Sequence, residues 1–557
     1  MQLIGRNHAI FLLWFASLPT LAQELPPPPL TPEERDFLSG KATIFVRDLE
    51  FRNYTVFTRE QLLAAPVVTR EENGKTIVDK RVSDSLGRAV TLDDLEAIRL
   101  GISQFYVSNG YINSGAVIPE QNGSDGIIRI DIVEGKLTQI NLNTNGRLKP
   151  DYFRKRIEWN LKSPLNINQL HDRLEIVRQN PNIERINAGL RPGISPGESM
   201  LDVAVYQANP WQVALSLNNY RSPSVGAERF VLNASSLNLL GFGDSASLRY
   251  GLTTGGLSDI ELDSPADPKD FSICYSIPLS PSDTTLSFAV DKTDDTVIDS
   301  TFDELDIQSE GMTYAITLRQ PVYRTPRSEV ALFLTGTMRS SKTFLMGEPY
   351  AFPPDPASET NITAIRFGQE YSTRRTREAL SLRSTFTFGL NAFGATRSDG
   401  ADGQFVAWLG QGQYLRKLGD SDIQLACRVS AQVASDSLLS MEQFAVGGVY
   451  TVRGYRENQV VRDNAVTSSI ELHIPLIQKN GESILDLVPF VDAGYAVNHN
   501  GSPESECISS VGMGVLFNPS THVHIEVYWG YPFKTFDEGD DDLQDMGFHF
   551  DVTVSAF

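Results

Sequence analysis

From Pro210 to its end the chain alternates apolar and polar residues with a period of two, whereas the stretch before it carries helical periodicity. Trp211, Val213, Leu215 and Leu217 alternate with Gln212, Ala214, Ser216 and Asn218, and Leu380, Leu382, Phe386, Phe388 and Leu390 with Ser381, Arg383, Thr385, Thr387 and Asn391. The rhythm returns at Ile423 to Val429, Val523 to Trp529 and Phe548 to Val554. Segments beginning near residues 211, 229, 245, 271, 284, 313, 329, 363, 379, 402, 422, 467, 487, 509, 522 and 547 predict about sixteen strands, an even number, as bacterial outer-membrane barrels require. A soluble antiparallel sheet also alternates. Here the polar face carries Arg, Gln, Ser, Thr and Asn over runs of about 9 to 11 residues, which suits a lipid-facing wall around a wet lumen. The expected fold class is a transmembrane antiparallel β-barrel of about 16 strands preceded by two α+β units.

Those units are read from residues 41–135 and 136–208, with the barrel over 209–557. Thr43 to Phe57 is rich in β-formers, and Thr58-Arg59-Glu60-Gln61 before Leu62-Leu63 predicts a capped short helix. Thr91-Leu92-Asp93-Asp94, with Leu95, Ile98, Ile102 and Phe105 behind it, predicts a longer amphipathic helix. Strands near Gly115–Pro119 and Gly126–Val133 close the unit. The order recurs as a strand Leu137–Leu142, helices Pro150–Leu161 and Asn166–Gln179, and strands Ile183–Leu190 and Met200–Tyr206. A βααββ unit used twice is an internal duplication in structure.

Residues 1–22 have the features of a secretory signal: Arg6 and His8, an apolar run from Ala9 to Ala16, and small residues at Thr20-Leu21-Ala22. Pro26 to Pro29 make 23–40 an extended linker. No later stretch reaches the roughly 20 apolar residues of a membrane helix, so an exported chain that spans a membrane must do so as a closed barrel. With 69 acidic against 48 basic side chains in 557 residues the net charge is −21, which argues against nucleic acid as a partner. Cys274, Cys427 and Cys507 are far apart, and strand phase points Cys274 inward and Cys427 outward, so neither a disulfide framework nor metal spacing is expected. No phosphate-cradling loop is visible, and no cofactor is expected.

The chemistry concentrates in two places. Val452-Arg453-Gly454-Tyr455 lies in a glycine-rich segment with Gly447 and Gly448, and Phe490-Val491-Asp492-Ala493-Gly494 lies on a strand whose phase points Asp492 into the lumen. Arg453 supplies a permanently charged planar fork that matches a carboxylate. In a water-containing lumen the pairing would contribute about 1–3 kcal/mol, enough to bias a loop position.

The two βααββ units, the sixteen-strand pattern and these motifs in this order resemble the TpsB family, the outer-membrane transporters of two-partner secretion. The resemblance covers essentially the whole chain after the signal. It implies that the units are periplasmic POTRA domains and that residues 434–466 form the sixth extracellular loop, tipped by Val452, Arg453, Gly454 and Tyr455. Phe490, Asp492 and Gly494 map onto the family's inward strand motif, with Glu471 and His473 on the strand after the loop as lumen-lining support. Val133-Glu134-Gly135 fits the join between units. The implied function is passage of an unfolded secreted exoprotein, captured by the POTRA domains, through a monomeric barrel embedded in outer-membrane lipid and lipopolysaccharide. A barrel-assembly factor of the same superfamily, or a passive porin or surface receptor, is the alternative. One departure is that residues 23–40 offer only about two helical turns where many members carry a plug helix, which would place more of the closure on the sixth loop.

Other motifs have plainer readings. Gly193-Ile194-Ser195-Pro196-Gly197 fits a hydrolase pattern, but proline follows the serine where a helix should start. His522, His524 and Glu526 share one strand face and are expected to line the lumen rather than hold a metal. Arg154-Lys155-Arg156 and the acidic run from Asp537 to Asp545 are expected to be solvated.

Overall fold

Thr58 opens the first helix because its hydroxyl accepts the Gln61 amide while the Gln61 side-chain oxygen accepts the Thr58 N–H. The computed structural model describes residues 43–72, 75–253, 269–296, 306–536 and 542–556. The expected signal, linker and plug region lie outside the described residues. The chain divides between Gln207 and Ala208 into two units.

In the N-terminal unit the first half holds β1 (Thr43–Val46), β2 (Asp48–Arg52), α1 (Arg59–Leu63), β3 (Pro66–Glu72), β4 (Lys75–Arg81), β5 (Arg88–Thr91), α2 (Leu92–Ser108), β6 (Gly115–Val117) and β7 (Ile127–Val133). Its main sheet has the order β2-β7-β6, with β2 parallel to β7. Leu49, Ile98, Ile102, Ile128 and Ile130 meet beneath it in the core. In this first half β3, β4 and β5 stand between the two helices of the βααββ order, and the opening strand is split in two. Asn73-Gly74, the sequence signal for a two-residue hairpin turn, lies between β3 and β4.

The second half follows the expected order: β8 (Lys136–Asn145), α3 (Pro150–Glu158), α4 (Ile167–Arg178), β9 (Ile183–Pro192) and β10 (Glu198–Gln207). The sheet order is β8-β10-β9, so β8 is an edge, and α3 packs beside it through Phe153 and Ile157. The join is short and tied on both sides. Glu134 accepts hydrogen bonds from Thr55 N (2.7 Å), Val56 N (2.9 Å) and the Tyr106 hydroxyl (3.0 Å), while Gly135 O accepts from Leu165 N at 2.7 Å. A side chain at Gly135 would stand 2.1 Å from Asn113 Oδ1. Burial pushes the Glu134 carboxyl up, but the Thr55, Val56 and Tyr106 hydrogen bonds outweigh it and hold it below its ordinary value.

The C-terminal unit is a closed antiparallel barrel. Among the described residues its wall has sixteen long strands: β11 (Trp211–Asn218), β12 (Arg229–Ser236), β13 (Ser245–Thr253), β14 (Lys269–Pro278), β15 (Thr285–Thr296), β16 (Ile307–Arg324), β17 (Ser328–Leu345), β19 (Glu359–Arg374), β20 (Glu378–Leu390), β21 (Val406–Lys417), β22 (Gln424–Ala434), β25 (Asn464–Lys479), β26 (Glu482–Val497), β27 (Glu506–Ser520), β28 (Val523–Pro532) and β29 (Phe548–Ser555). The two-residue β18 (Glu348–Pro349) hooks onto β17, and β23 (Phe444–Val446) pairs with β24 (Val460–Arg462) inside the loop between β22 and β25. β11 pairs with β29 from Ala214–Ser555 to Asn218–Asp551, which closes the ring.

The dyad phase is the one expected: Leu382, Phe386 and Phe388 are exposed on the wall, whereas Thr385 and Thr387 are buried inside. Several strands exceed the expected length, with β16 and β17 at 18 residues each, more than the hydrocarbon layer needs. The strand expected near 402 begins at Val406, since the residues before it fold over the wall around Ala401 and Phe405. The three cysteines are free thiols. His522 precedes β28, while His524 pairs with Glu526, which accepts the Tyr220 hydroxyl at 2.7 Å. Gly193–Gly197 forms the turn between β9 and β10, where Ser195 N donates to Glu198. The acidic run needs correction at its end: Asp545 pairs with Arg456 of the sixth loop, and the adjacent Gln544 is buried.

Candidate functional site in the sixth loop

The loop joining β22 to β25 turns back into the lumen. Gly447 and Gly448, both at positive φ (116° and 96°), turn the chain after β23. Gly448 N donates to Val452 O at 3.0 Å, and Val449 N donates to the Glu457 carboxylate at 2.7 Å. This compact tip presents Val452 to Tyr455.

Arg453 is 1 % exposed, as is Asp492. Its Nε and Nη2 donate to the two oxygens of Asp492 at 2.7 and 2.9 Å, and its backbone N donates to Asp492 Oδ2 at 3.1 Å. Nη1 donates to Glu471 at 2.8 Å and Nη2 also to the Ser469 hydroxyl at 2.9 Å. The guanidinium carbon lies 3.6 Å from the Phe490 ring centroid and 5.0 Å from that of Tyr528. A fork bonded along its edge and stacked on its face is held in both ways open to it.

Strand register builds this receptor. β25 and β26 place Ser469 opposite Asp492 and Glu471 opposite Phe490. On β27, side chains at Gly512 and Gly514 would stand 2.3 Å from Phe490 Cζ and 2.4 Å from Tyr528 Cδ1, so these glycines leave room for the two rings. Gly494 does the same for the loop, since a Cβ there would meet Val446 at 2.5 Å. Glu471 further accepts from Arg428 (3.3 Å) and contacts His473 (3.2 Å). Gly454 (φ 87°) packs against Gly530, and the Tyr455 hydroxyl donates to Ser509 O at 3.0 Å while accepting from Lys534 N.

The structure thus brings Val452, Arg453, Gly454, Tyr455, Phe490, Asp492, Gly494 and Glu471 into one cluster, with His473 at its margin behind Glu471. The environment differs from the wet lumen expected for the pair, because aromatic rings and the loop itself exclude water from it. Ser469, Tyr528 and His549 escaped the sequence reading. Ser469 shares the inward phase of Glu471, and that phase was the available signal. His549 accepts from Gly454 N at 3.4 Å, a contact with no local sequence signature. Among the described residues no group of side chains is arranged to hold a metal.

A lumen strapped by an inward loop, on a barrel preceded by two α+β units, defines the POTRA-barrel class of outer-membrane transporters. Residues 197–517 match the family model for haemolysin secretion/activation proteins ShlB/FhaC/HecB, and residues 67–135 match the ShlB-type POTRA domain. The chain belongs to the ShlB/FhaC/HecB family, the TpsB transporters of two-partner secretion. It is 22 % identical over 454 residues to the outer membrane transporter CdiB of Dickeya dadantii, covering 79 % of this chain and 78 % of that one. Identity to the heme/hemopexin transporter protein HuxB of Haemophilus influenzae is 21 % over 499 residues, covering 85 % and 84 %. In fold it resembles CdiB from Escherichia coli, with a TM-score of 0.68, 20 % identity and 92 % and 91 % of the two chains covered. The protein is a non-catalytic outer-membrane barrel with periplasmic POTRA domains that translocates a secreted partner protein.

Proposed function

We propose that the sixth loop is the gate of this transporter and that its resting position is set by Arg453 on Asp492, with Val452, Gly454, Tyr455, Phe490, Gly494 and Glu471 shaping the seat. The observation that carries the reading is the burial of a guanidinium whose partners all lie on the wall. A loop held this way occupies the lumen, and passage of a chain requires it to move. Removing one partner of a buried pair costs about 3–5 kcal/mol because the other charge stays unpaired, so small changes here shift the loop strongly.

The client enters as an extended segment at the free edge of β8. The groove beside it is lined by Thr138 to Leu142 of the strand and by Arg154 and Glu158 of α3. Backbone pairing along an open edge gives affinity without demanding one sequence, which suits an unfolded exoprotein of haemolysin, adhesin or toxin type.

Charge reversal tests the gate. Arg453→Asp and Asp492→Arg each abolish secretion and raise channel openings in planar bilayers, and the double variant recovers part of the closure, limited by Glu471 facing the new carboxylate. Full secretion with unaltered conductance in both single variants overturns the reading. Deleting the POTRA domains stops secretion while the barrel still inserts, whereas a passive porin would keep its activity.

A further inference from the structure

The outgoing limb of the sixth loop is also held to the wall, on a different part of it from the tip. After β22 the chain buries Leu438 and Leu439 completely against Ile362, Ala364 and Phe405. It then forms a short turn, Ser440–Glu442, whose carboxylate is 6 % exposed. Glu442 Oε1 accepts from Arg339 Nη1 of β17 at 2.8 Å and from Arg366 Nη2 of β19 at 2.6 Å. Arg339 also donates to the carbonyl of Met441, and Ser440 N donates to Asp355 at 2.8 Å. From within the loop's own root, Gln432 donates to Glu442 O at 2.9 Å.

We propose that Glu442 is a second, independent anchor of the loop, a positioning residue that fixes the outgoing limb to Arg339 and Arg366. The inference rests on the reading of this loop as the gate. β20, β21 and β22 lie between the strands that hold Glu442 and those that hold Arg453. The loop is therefore a strap pinned on the β17–β19 wall as well as around its Arg453 tip. A carboxylate shared by two guanidiniums in a water-poor corner stands where removing either side leaves like charges or a bare charge behind. Release of the Arg453 tip alone swings the distal half, residues 448–457, and leaves the limb over β17 and β19. Full clearance of the lumen requires both anchors to let go. A translocating segment thus opens the pore in two steps, and a tip-only release gives a partly open state.

Hydrogen exchange and planar-bilayer recording on the full-length protein test this, with heat-modifiable gel mobility as the control for a folded barrel. The amides of 438–446 are tied by Asp355, Asp463, Leu439 O and the β23–β24 pairing, so their exchange reports the limb. Glu442→Gln is expected to speed exchange of 438–446 at least tenfold while 448–457 stays protected, and to raise opening frequency. Arg339→Gln with Arg366→Gln removes the same contact from the wall and gives the same pattern. Adding Glu442→Gln to that pair has little further effect. Unchanged exchange of 438–446 in both backgrounds overturns the anchor. Openings equal to wild type in Glu442→Gln, while Arg453→Ala raises them, also overturn it and leave the gate reading standing. No response to Arg453→Ala counts against the gate itself, and the exchange data then still decide whether Glu442 anchors the limb.

Discussion

The ring of Phe490 rests against the backbone of Gly512 on the next strand, where a Cβ would stand 2.3 Å from Phe490 Cζ. The ring in turn supports the Arg453 guanidinium 3.6 Å above its centroid. A missing side chain on one strand thereby sets the height of a cation that comes from a loop 59 residues earlier in the chain.

Gly512→Ala therefore displaces Phe490 and loosens the tip. Overpacking of this kind costs about 1–3 kcal/mol, and a Cβ would also press on Trp529 O at 2.2 Å. The expected outcome is a barrel that still folds, read by gel mobility, with more frequent openings in bilayers.

Arg453→Lys keeps the charge and loses the fork. An ammonium does not reproduce the paired Nε and Nη2 bonds to Asp492 together with those to Glu471 and Ser469. Exchange of residues 448–457 should rise by about tenfold, which corresponds to about 1.4 kcal/mol, with Arg453→Ala rising further.

The POTRA join is expected to be acid-sensitive. Glu134 titrates below its ordinary value of 4.5 in the fold, so the stability it contributes is fully present above about pH 4.5 and is lost as pH falls through the lowered value. Asp94, held at about 2 first by the Lys80 hydrogen bond and then by Thr91, loses its contribution lower still. Urea unfolding of a 43–207 fragment at pH 7 should show Glu134→Gln less stable by about 1 kcal/mol, and the difference should shrink as pH falls below 4.5 and through the lowered value.

Client capture at β8 predicts a directional footprint. When an unfolded segment of the secreted partner saturates the full-length protein, amides of residues 138–142 should exchange more slowly, and those of β9 on the opposite edge should not. Equal slowing of both edges, or of neither, contradicts pairing at β8.

Much of this molecule is legible along the chain. The two-residue period gave sixteen wall strands because lipid outside and water inside act on every strand alike, and reciprocal caps at Thr58 and Thr91 marked helix starts because they are local hydrogen bonds. Phase also pointed Asp492 inward, and the family resemblance placed Phe490 and Glu471 beside it. The β3–β4 hairpin carries only the Asn73-Gly74 turn signal, because its strands, rich in charged residues, lack a sustained apolar alternation.

Tertiary structure alone decided how the loop is held. Ser469 faces Asp492 through the β25–β26 register, Tyr528 arrives from β28, His549 from β29, and Arg339 and Arg366 from strands 103 and 76 residues before Glu442. These contacts depend on barrel closure, which no local periodicity encodes. The sequence by itself determined the wall, the inward face and the presence of a cation in a glycine-rich loop. Only the closed barrel determined that this cation is buried rather than wet, and that the loop carrying it is pinned at both Arg453 and Glu442.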